Sequence, residues 1–557
     1  MMAHTFSGEM RNHYIYELKD NEFDVLIIGG GITGAGVALD AQARGLKTVL
    51  IEMQDFAAGT SSRTTKLNHS GLHYLKQFDV KLISEVGKER AIIHENAPHV
   101  TTPMWVLLPF YKNGNFGKLS TSLGLKMYDN LVEVRKEERR FILNKKKTTE
   151  KEPLLKQEKL KGSGLYVEYR TDDARLTIEV LKEAVRHGVK AVNYAKVESF
   201  LYKEGRAVGV VIVDQRSGEA FKVYAKKIVN ASGPWVDTLR EQDRSKEKKQ
   251  LKLSKGVHLV FNHTRFPIQQ AIYFDADKEG QMMFAIPRDG KTYVGTTETL
   301  YENHIAEPRM TESDRDYVLS SINEMFPMVK LCSQDIVSSW AGLRPLIFEP
   351  GKKESELSKK DELFVSESGL VSIVAGKLTG YRKMAERVVD LIVKDLRGNF
   401  VCETDSITLS GGHVGGATGF ESFRKTKIAE GQMLGLETGR AEELVQRYGS
   451  NVSKIYARMK TNKKQSEAFH LPSSLLAELR YGIEEEMVIT PLDFFLRRTG
   501  AVFFQLDWVE KWKVSILRYF RDLFEWNEEE LAKNEAELAK EIFFAKTAIP
   551  DEVEHKH

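Results

Sequence analysis

Two cysteines in 557 residues, Cys332 and Cys402, leave no disulfide framework and no cysteine-ligated metal site, since neither sits in a CxxC or similar spacing. Such sparse use is expected of a chain kept in a reducing compartment. An excess of one charge is also missing: 82 Lys and Arg stand against 79 Asp and Glu, a formal charge of +3. That balance offers no electrostatic footprint for nucleic acid. No stretch reaches the roughly 18 uncharged apolar residues of a membrane-spanning helix. The opening MMAHTFSGEMRNHYIYELKD has neither the apolar core nor the small-residue cleavage site of a secretory leader. HExxH is absent, and His69 and His73, four residues apart, have no partnering acid, so no metal is expected. Together these absences point to a cytoplasmic protein, attached to the inner face of a membrane only peripherally if at all.

What is present begins with DVLIIGGGITGAGVALDAQARGLKTVLIE, from Asp24 to Glu52. An apolar strand (Val25 to Ile28) runs into glycines, a helix starts near Thr33, and a second apolar strand ends on an acid. Gly29, Gly31 and Gly34 form G-x-G-x-x-G: the first permits a tight turn, the second lets a pyrophosphate reach the backbone, and the third lets helix and strand pack closely. Phosphates then meet the unpaired N–H groups and dipole of a helix N-terminus. Glu52, about 20 residues on, suits a ribose hydroxyl and repels a 2′-phosphate. This unit predicts dinucleotide binding without separating NAD from FAD.

The chain is too long for one core. After Glu52, the hydroxyl- and glycine-rich MQDFAAGTSSRTTKLNHSGLHYL is expected to wrap the cofactor, with Thr60, Ser61, Ser62, Lys66, Leu67 and His69 on that loop. A charged helix from Val80 to Asn96 follows. The region 101–170 is expected as a cap segment containing MWVLLPF, a short helix LSTSLGLKMYDNL and the charged runs RKEERRF and NKKKTTEKE, the last two being either a solvated face or a contact for anionic lipid. Turn signals then predict hairpins that close on the return strand IVNASG, with Gly233 beside the cofactor. A second β excursion includes KGVHLVF and KTYVGTTET, and DIVSSWAGLRPL leads to LVSIVAGKLTGYRKMAERVVDLIV, a strand, glycine turn and amphipathic helix that repeat the opening geometry. Gly376, Lys377, Leu378 and Thr379 occupy that second turn. The expected organisation is a nucleotide-binding domain over 20–100, 171–240 and 341–400, a cap over 101–170 and 241–340, and a helical domain over 401–557. GGHVGGATG reads as the linker into it, and Trp508, Trp512, Ile516, Phe520 and Leu523 recur at helical spacing as a packing stripe.

The set GGGITGAG, GTSSRTTKLNHSGLHYL, IVNASGPWVD, SKGVHLVF, VGTTE, AGLRPL and GKLTGYRKMAE closely resembles the FAD-dependent glycerol-3-phosphate dehydrogenases from about Asp24 to Lys394. A thinner resemblance (RYGSN, ELRYGIEEEMVITPLDFFLRRT) continues beyond. It implies an α/β fold: a Rossmann-like FAD-binding domain, an antiparallel β-sheet substrate cap of the amino-acid-oxidase kind, and an all-α C-terminal domain. It also implies oxidation of sn-glycerol 3-phosphate to dihydroxyacetone phosphate, with electrons passing through FAD to a membrane quinone, in a chain that can dimerise. A phosphomonoester needs several cations. Arg344, Lys377 and Lys360 are the candidates, with Thr379 beside them. Removal of the C2 hydroxyl proton needs a base such as His258 or His69, and Arg344 can stabilise the developing alkoxide. A soluble oxidase passing electrons to oxygen, an FAD-dependent amine or amino-acid oxidase, and a flavin-bound protein without turnover are the competing readings.

Overall fold

The computed structural model describes residues 6–68, 80–112, 139–247, 249–276, 281–349, 357–358, 361–374, 377–396, 398 and 400–551. His69, His73, Lys360, Gly376 and the short helix expected at 119–131 lie outside them. Two sheets organise the rest. In the first, the parallel strands Val371–Val374, Ala220–Asn230, Glu22–Ile28, Thr48–Ile51 and Lys190–Val192 lie side by side in that order. The antiparallel strand Glu362–Val365 closes one edge, and the hairpin Ala195–Lys203/Arg206–Asp214 continues from the start of Ala220–Asn230.

The opening strand is apolar without interruption because both of its faces are covered. Val25 and Ile27 point into a cluster with Val37 and Ala38 of the helix Ile32–Ala43 and Val388 of the helix Tyr381–Asp395, while Leu26 and Ile28 meet the hairpin's Val210 and Ile212. The helix Asp173–His187 packs on the opening helix from the other side. Its ends follow local rules: Asp172 accepts the N–H of Arg175, and Gly188 ends it at φ +116°.

The second, ten-stranded sheet is largely antiparallel. Its spine is the pair Gln250–Asn262 and Ile336–Phe348, matched along nearly their whole length. Alternation divides this sheet's residues: Leu259, Phe261 and Phe274 pack beneath the helix Glu312–Met325, whereas Val260, Tyr273, Tyr293 and Trp340 face the C-terminal helices. Side chains at 254, 256 and 258 therefore share a face with those at 344, 342 and 340.

Helices from Gly416 to Lys546 form the third layer. Ile516 and Phe520 are buried, and Trp508, Trp512 and Leu523 pack against the same cluster, so the stripe is a packing face. The glycine run 411–419 that leads into these helices is closely packed: a Cβ on Gly412 would lie 2.0 Å from the Asn96 carbonyl, and one on Gly411 would strike His99. The charged run NKKKTTEKE contains the helix Lys145–Lys151, capped by the Asn144 side chain on Lys147 N–H, and its lysines are exposed as a solvated face. Among the described residues no helix is long and apolar enough to cross a membrane.

Candidate cofactor and substrate site

A cleft of about 480 Å³, within the usual range for small-molecule sites, opens between the two sheets. One wall is the fingerprint. Gly29 sits at φ +114°, donates to Ile51 O at 2.8 Å, and receives the helix so closely that a Cβ on Gly34 would lie 1.9 Å from Gly29 O. Ser61 Oγ accepts the Ile32 N–H at 2.9 Å, reaching the helix N-terminus from the following loop. Glu52 lines the cleft at the end of the second strand, its carboxylate accepting Gly30 N–H and Gln54 N–H at 2.7 and 2.8 Å. Burial raises its pKa against those two hydrogen bonds.

The other wall is the spine of the second sheet. Ser254 stands opposite Arg344, Gly256 opposite Gly342, and His258 opposite Trp340, all on the cleft face. The loop 60–65 lies across it because Gly342 has no side chain to hold it off: a Cβ there would lie 2.4 Å from Arg63 O. Thr60 Oγ1 donates to Leu343 O at 2.6 Å, Trp340 Nε1 donates to Thr64 O at 3.2 Å, and Thr65 Oγ1 meets His258 Nε2 at 3.1 Å. The His258 ring stacks on Trp340 at 4.7 Å and 10°, and its Nδ1 has no hydrogen-bond partner among the described residues. Burial, and then the positive charge of Lys66, pushes its pKa down to about 3. The ring is therefore neutral across the physiological range.

Arg344 is exposed to the cleft and makes no ion pair with any described residue. Lys377, Leu378 and Thr379 line the cleft just before the helix Tyr381–Asp395, whose N-cap, Gly380, offers no side-chain cap. Gly29, Gly31, Glu52, Thr60, Ser61, Leu67, Gly233, His258 and Arg344 also line it. Gly34 acts through packing rather than contact.

Two residues expected on the cofactor loop do not line the cleft. Lys66 turns beneath the loop, donating to Asp173 Oδ1 at 2.7 Å and Ser62 O at 2.8 Å, because a buried ammonium must be paired. Ser62 is buried without lining the cleft, and its Oγ has no partner among the described residues. Trp340, Thr65, Asp173 and Arg63 were not legible as site residues. Only Trp340 carried a signal, standing four residues before Arg344 on a strand and so on the same face.

A bare glycine turn, an acid at the second strand's end, a glycine-capped helix and a glycine-paired strand face accommodate a flavin dinucleotide. Comparison with known proteins agrees. Residues 24–381 match the family of FAD dependent oxidoreductases, and residues 402–531 match the C-terminal domain of alpha-glycerophosphate oxidase. The aerobic glycerol-3-phosphate dehydrogenase of Bacillus subtilis is 55% identical over 97% of this chain and 98% of its own. The X-ray structure of the glycerol-3-phosphate dehydrogenase from Bacillus halodurans, complexed with FAD, is 51% identical, covers 97% of this chain and 99% of that one, and superposes with a TM-score of 0.86. L-alpha-glycerophosphate oxidase from Mycoplasma pneumoniae, 18% identical over 69% of this chain and 97% of its own, shares the fold at a TM-score of 0.55. Fingerprint, cap, helical domain and near-complete coverage of these relatives lead to one placement: the chain belongs to the FAD-dependent glycerol-3-phosphate dehydrogenase family.

Proposed function

We propose that the protein oxidises sn-glycerol 3-phosphate to dihydroxyacetone phosphate and delivers the electrons to a membrane quinone. The observation that carries this reading is the pairing on one sheet face of a neutral buried imidazole, His258, with a cleft-facing guanidinium, Arg344, that has no ion-pair partner among the described residues. Bound FAD supplies the acceptor for the hydride that leaves C2.

The protein's own residues bind, orient and take the proton. The guanidinium of Arg344 presents a planar fork to the phosphate oxygens, and Lys377 adds positive charge from the second glycine turn. Thr379 donates beside it. Lys360, His69 and Gly376 keep the roles in substrate, base and cofactor contact that the resemblance implies. His258 accepts the C2 hydroxyl proton at Nε2, where its contact is the Thr65 hydroxyl.

The stacking of His258 on Trp340 supports a fixed trajectory for the proton. The protein is proposed to work in the cytoplasm, peripherally on the inner face of the cell membrane, and as a homodimer. The membrane-contact surface is assigned either to the charged part of 101–147 or to the helical tail.

Anaerobic mixing of the yellow protein with sn-glycerol 3-phosphate tests the reading. Bleaching of the flavin, with fast reoxidation by a soluble quinone and slow reoxidation by air, is expected. Fast reoxidation by air with peroxide release would make the protein an oxidase, and the absence of bleaching would remove this substrate.

Arg344→Ala is expected to raise KM and lower kcat. Loss of one partner of a close charge pair typically costs about 2–5 kcal/mol, which is roughly thirtyfold or more in kcat/KM. Steady-state kinetics with the natural substrate and with glycerol, which lacks the phosphate, check this. If Arg344→Ala reduces both substrates equally, the guanidinium does not bind phosphate.

A further inference from the structure

The C-terminal helical domain reaches the back of the cofactor cleft through a set of buried charges that the reaction does not use. Asp55 lies three residues beyond Glu52 and is fully buried. Its carboxylate accepts from Arg497 Nε at 2.5 Å, Arg498 Nη1 at 2.7 Å and Arg498 Nη2 at 2.9 Å. Adjacent residues on a regular α-helix point about 100° apart. Here both reach one carboxylate because Asp493–Arg498 is wound as a π-helix.

The same C-terminal stretch holds the neighbouring cleft segment. Tyr194 Oη donates to Asp493 Oδ1 at 2.6 Å, and Asn193 Nδ2 lies 3.2 Å from both Asp55 Oδ1 and Met487 O. Ala195, Lys196 and Val197, which follow, line the cleft. Ala57 in the cofactor loop and Tyr194 in the neighbouring cleft segment adopt left-handed backbone at φ +62° and +51°. Such conformations persist when their surroundings over-determine them, and here Ala57 N–H is tied to Gly30 O and Tyr194 N–H to Gln54 O.

Behind this layer Arg498 Nη2 donates to Glu486 O at 2.8 Å, and Glu486 in turn pairs with Arg175 and Lys182 of the helix Asp173–His187. Charges are compensated throughout, and the two arginines hold the Asp55 carboxyl below its ordinary pKa despite burial. Removing one partner leaves an uncompensated buried charge against the loop that carries Glu52.

We propose that Arg497 and Arg498 are positioning residues for FAD: the helical domain fixes the 52–57 loop through Asp55, so cofactor affinity and docking of that domain are coupled. The proposal rests on the cofactor cleft and not on the identity of the substrate. Coupling of this kind is reciprocal in binding free energy. FAD should therefore tighten the C-terminal stretch as much as that stretch tightens FAD.

Titration of the flavin-stripped full chain with FAD, followed by quenching of flavin fluorescence, gives the first test. Arg497→Met is expected to weaken FAD binding roughly tenfold to a hundredfold. Glu478→Gln serves as the control: it disturbs another buried charge set, with Arg440 and Arg447, wholly inside the helical domain. It should lower the melting temperature of the stripped protein while leaving FAD affinity within about twofold of the unsubstituted protein, below the range of a coupled site.

Equal FAD affinity in Arg497→Met and the unsubstituted chain would overturn the proposal, as would an equal loss in Glu478→Gln. The second measurement needs no substitution and decides the matter if Arg497→Met fails to fold. Hydrogen exchange of the unsubstituted chain with and without FAD should show slower exchange of amides 486–498 when FAD is bound. Exchange there that ignores FAD would refute the coupling.

Discussion

Gly34→Ala yields protein that purifies without flavin and melts at a lower temperature than the unsubstituted chain. The added Cβ would sit 1.9 Å from the Gly29 carbonyl oxygen, and that oxygen belongs to backbone rather than to a side chain that could swing away. Gly29 cannot retreat, because its own N–H is bonded to Ile51 O at 2.8 Å and a Cβ built on it would lie 2.5 Å from Ala231 O. Relief requires the opening helix to move off the sheet, at a cost of about 1–3 kcal/mol or more for overpacking. Such a movement displaces the helix N-terminus from the cleft. Gly31→Ala behaves differently: its Cβ meets only the Ser61 side chain, Oγ at 3.0 Å, which can turn aside by giving up its hydrogen bond from Ile32 N–H. It should lower the apoprotein's melting temperature less than Gly34→Ala does and lose FAD affinity. The flavin-to-protein absorbance ratio and the melting temperature of the stripped protein separate the two effects. A yellow, stable Gly34→Ala protein would show that the helix does not need this close approach.

His258→Asn slows reduction of the bound flavin by about 10²- to 10⁴-fold, the range of a positioned general base, and leaves substrate affinity nearly intact. Asparagine keeps a polar group near Thr65 but cannot take a proton at neutral pH. The sign of the pH dependence follows from the lowered pKa. With its pKa pushed to about 3 by burial and by Lys66, the imidazole is already deprotonated above that value. An ordinary histidine, titrating near 6.5, would lose activity as pH fell from 7 to 5; His258 should not. Rapid-mixing measurements of flavin reduction from about pH 5 to 8 should therefore show no acid limb from this group, apart from the substrate phosphate's second ionisation near pH 6. A rate in His258→Asn equal to that of the unsubstituted protein would mean that another group or water accepts the proton.

The two glycine substitutions show where reading residues in order reaches its limit. G-x-G-x-x-G names three positions without ranking them, since motif spacing is local and the consequence of a Cβ depends on what lies across from it. Gly34 faces backbone and Gly31 faces a hydroxyl. The loop after Glu52 behaves in the same way. Thr60, Ser61 and Leu67 line the cleft, while Lys66, one residue from Leu67, is drawn under the loop by Asp173, 107 residues away in the chain. The loop's makeup placed Lys66 on the cofactor face, and a distant carboxylate took its ammonium. Glycine-rich sequence likewise read as a linker at 411–419, and what order along the chain could not show is its packing: Asn96 and His99 occupy the space a side chain would need.

From the sequence by itself came everything that depends on near neighbours along the chain. The strand–glycine–helix–strand unit with its terminal acid, the repetition of that geometry near Lys377, the amphipathic stripe from Trp508 to Leu523 and the ordered motifs that mark the family are periodic or short-range patterns, and periodicity is what backbone geometry imposes on residue order. Tertiary structure alone decided what depends on register and on charge pairing across long separations. Pairing of Gln250–Asn262 with Ile336–Phe348 sets His258 on Trp340 and turns Arg344 to the same face. Folding brings Arg497 and Arg498 onto Asp55. A charge in a low-dielectric interior takes whichever opposite charge the fold delivers, however remote in sequence, because desolvation leaves it no tolerable alternative.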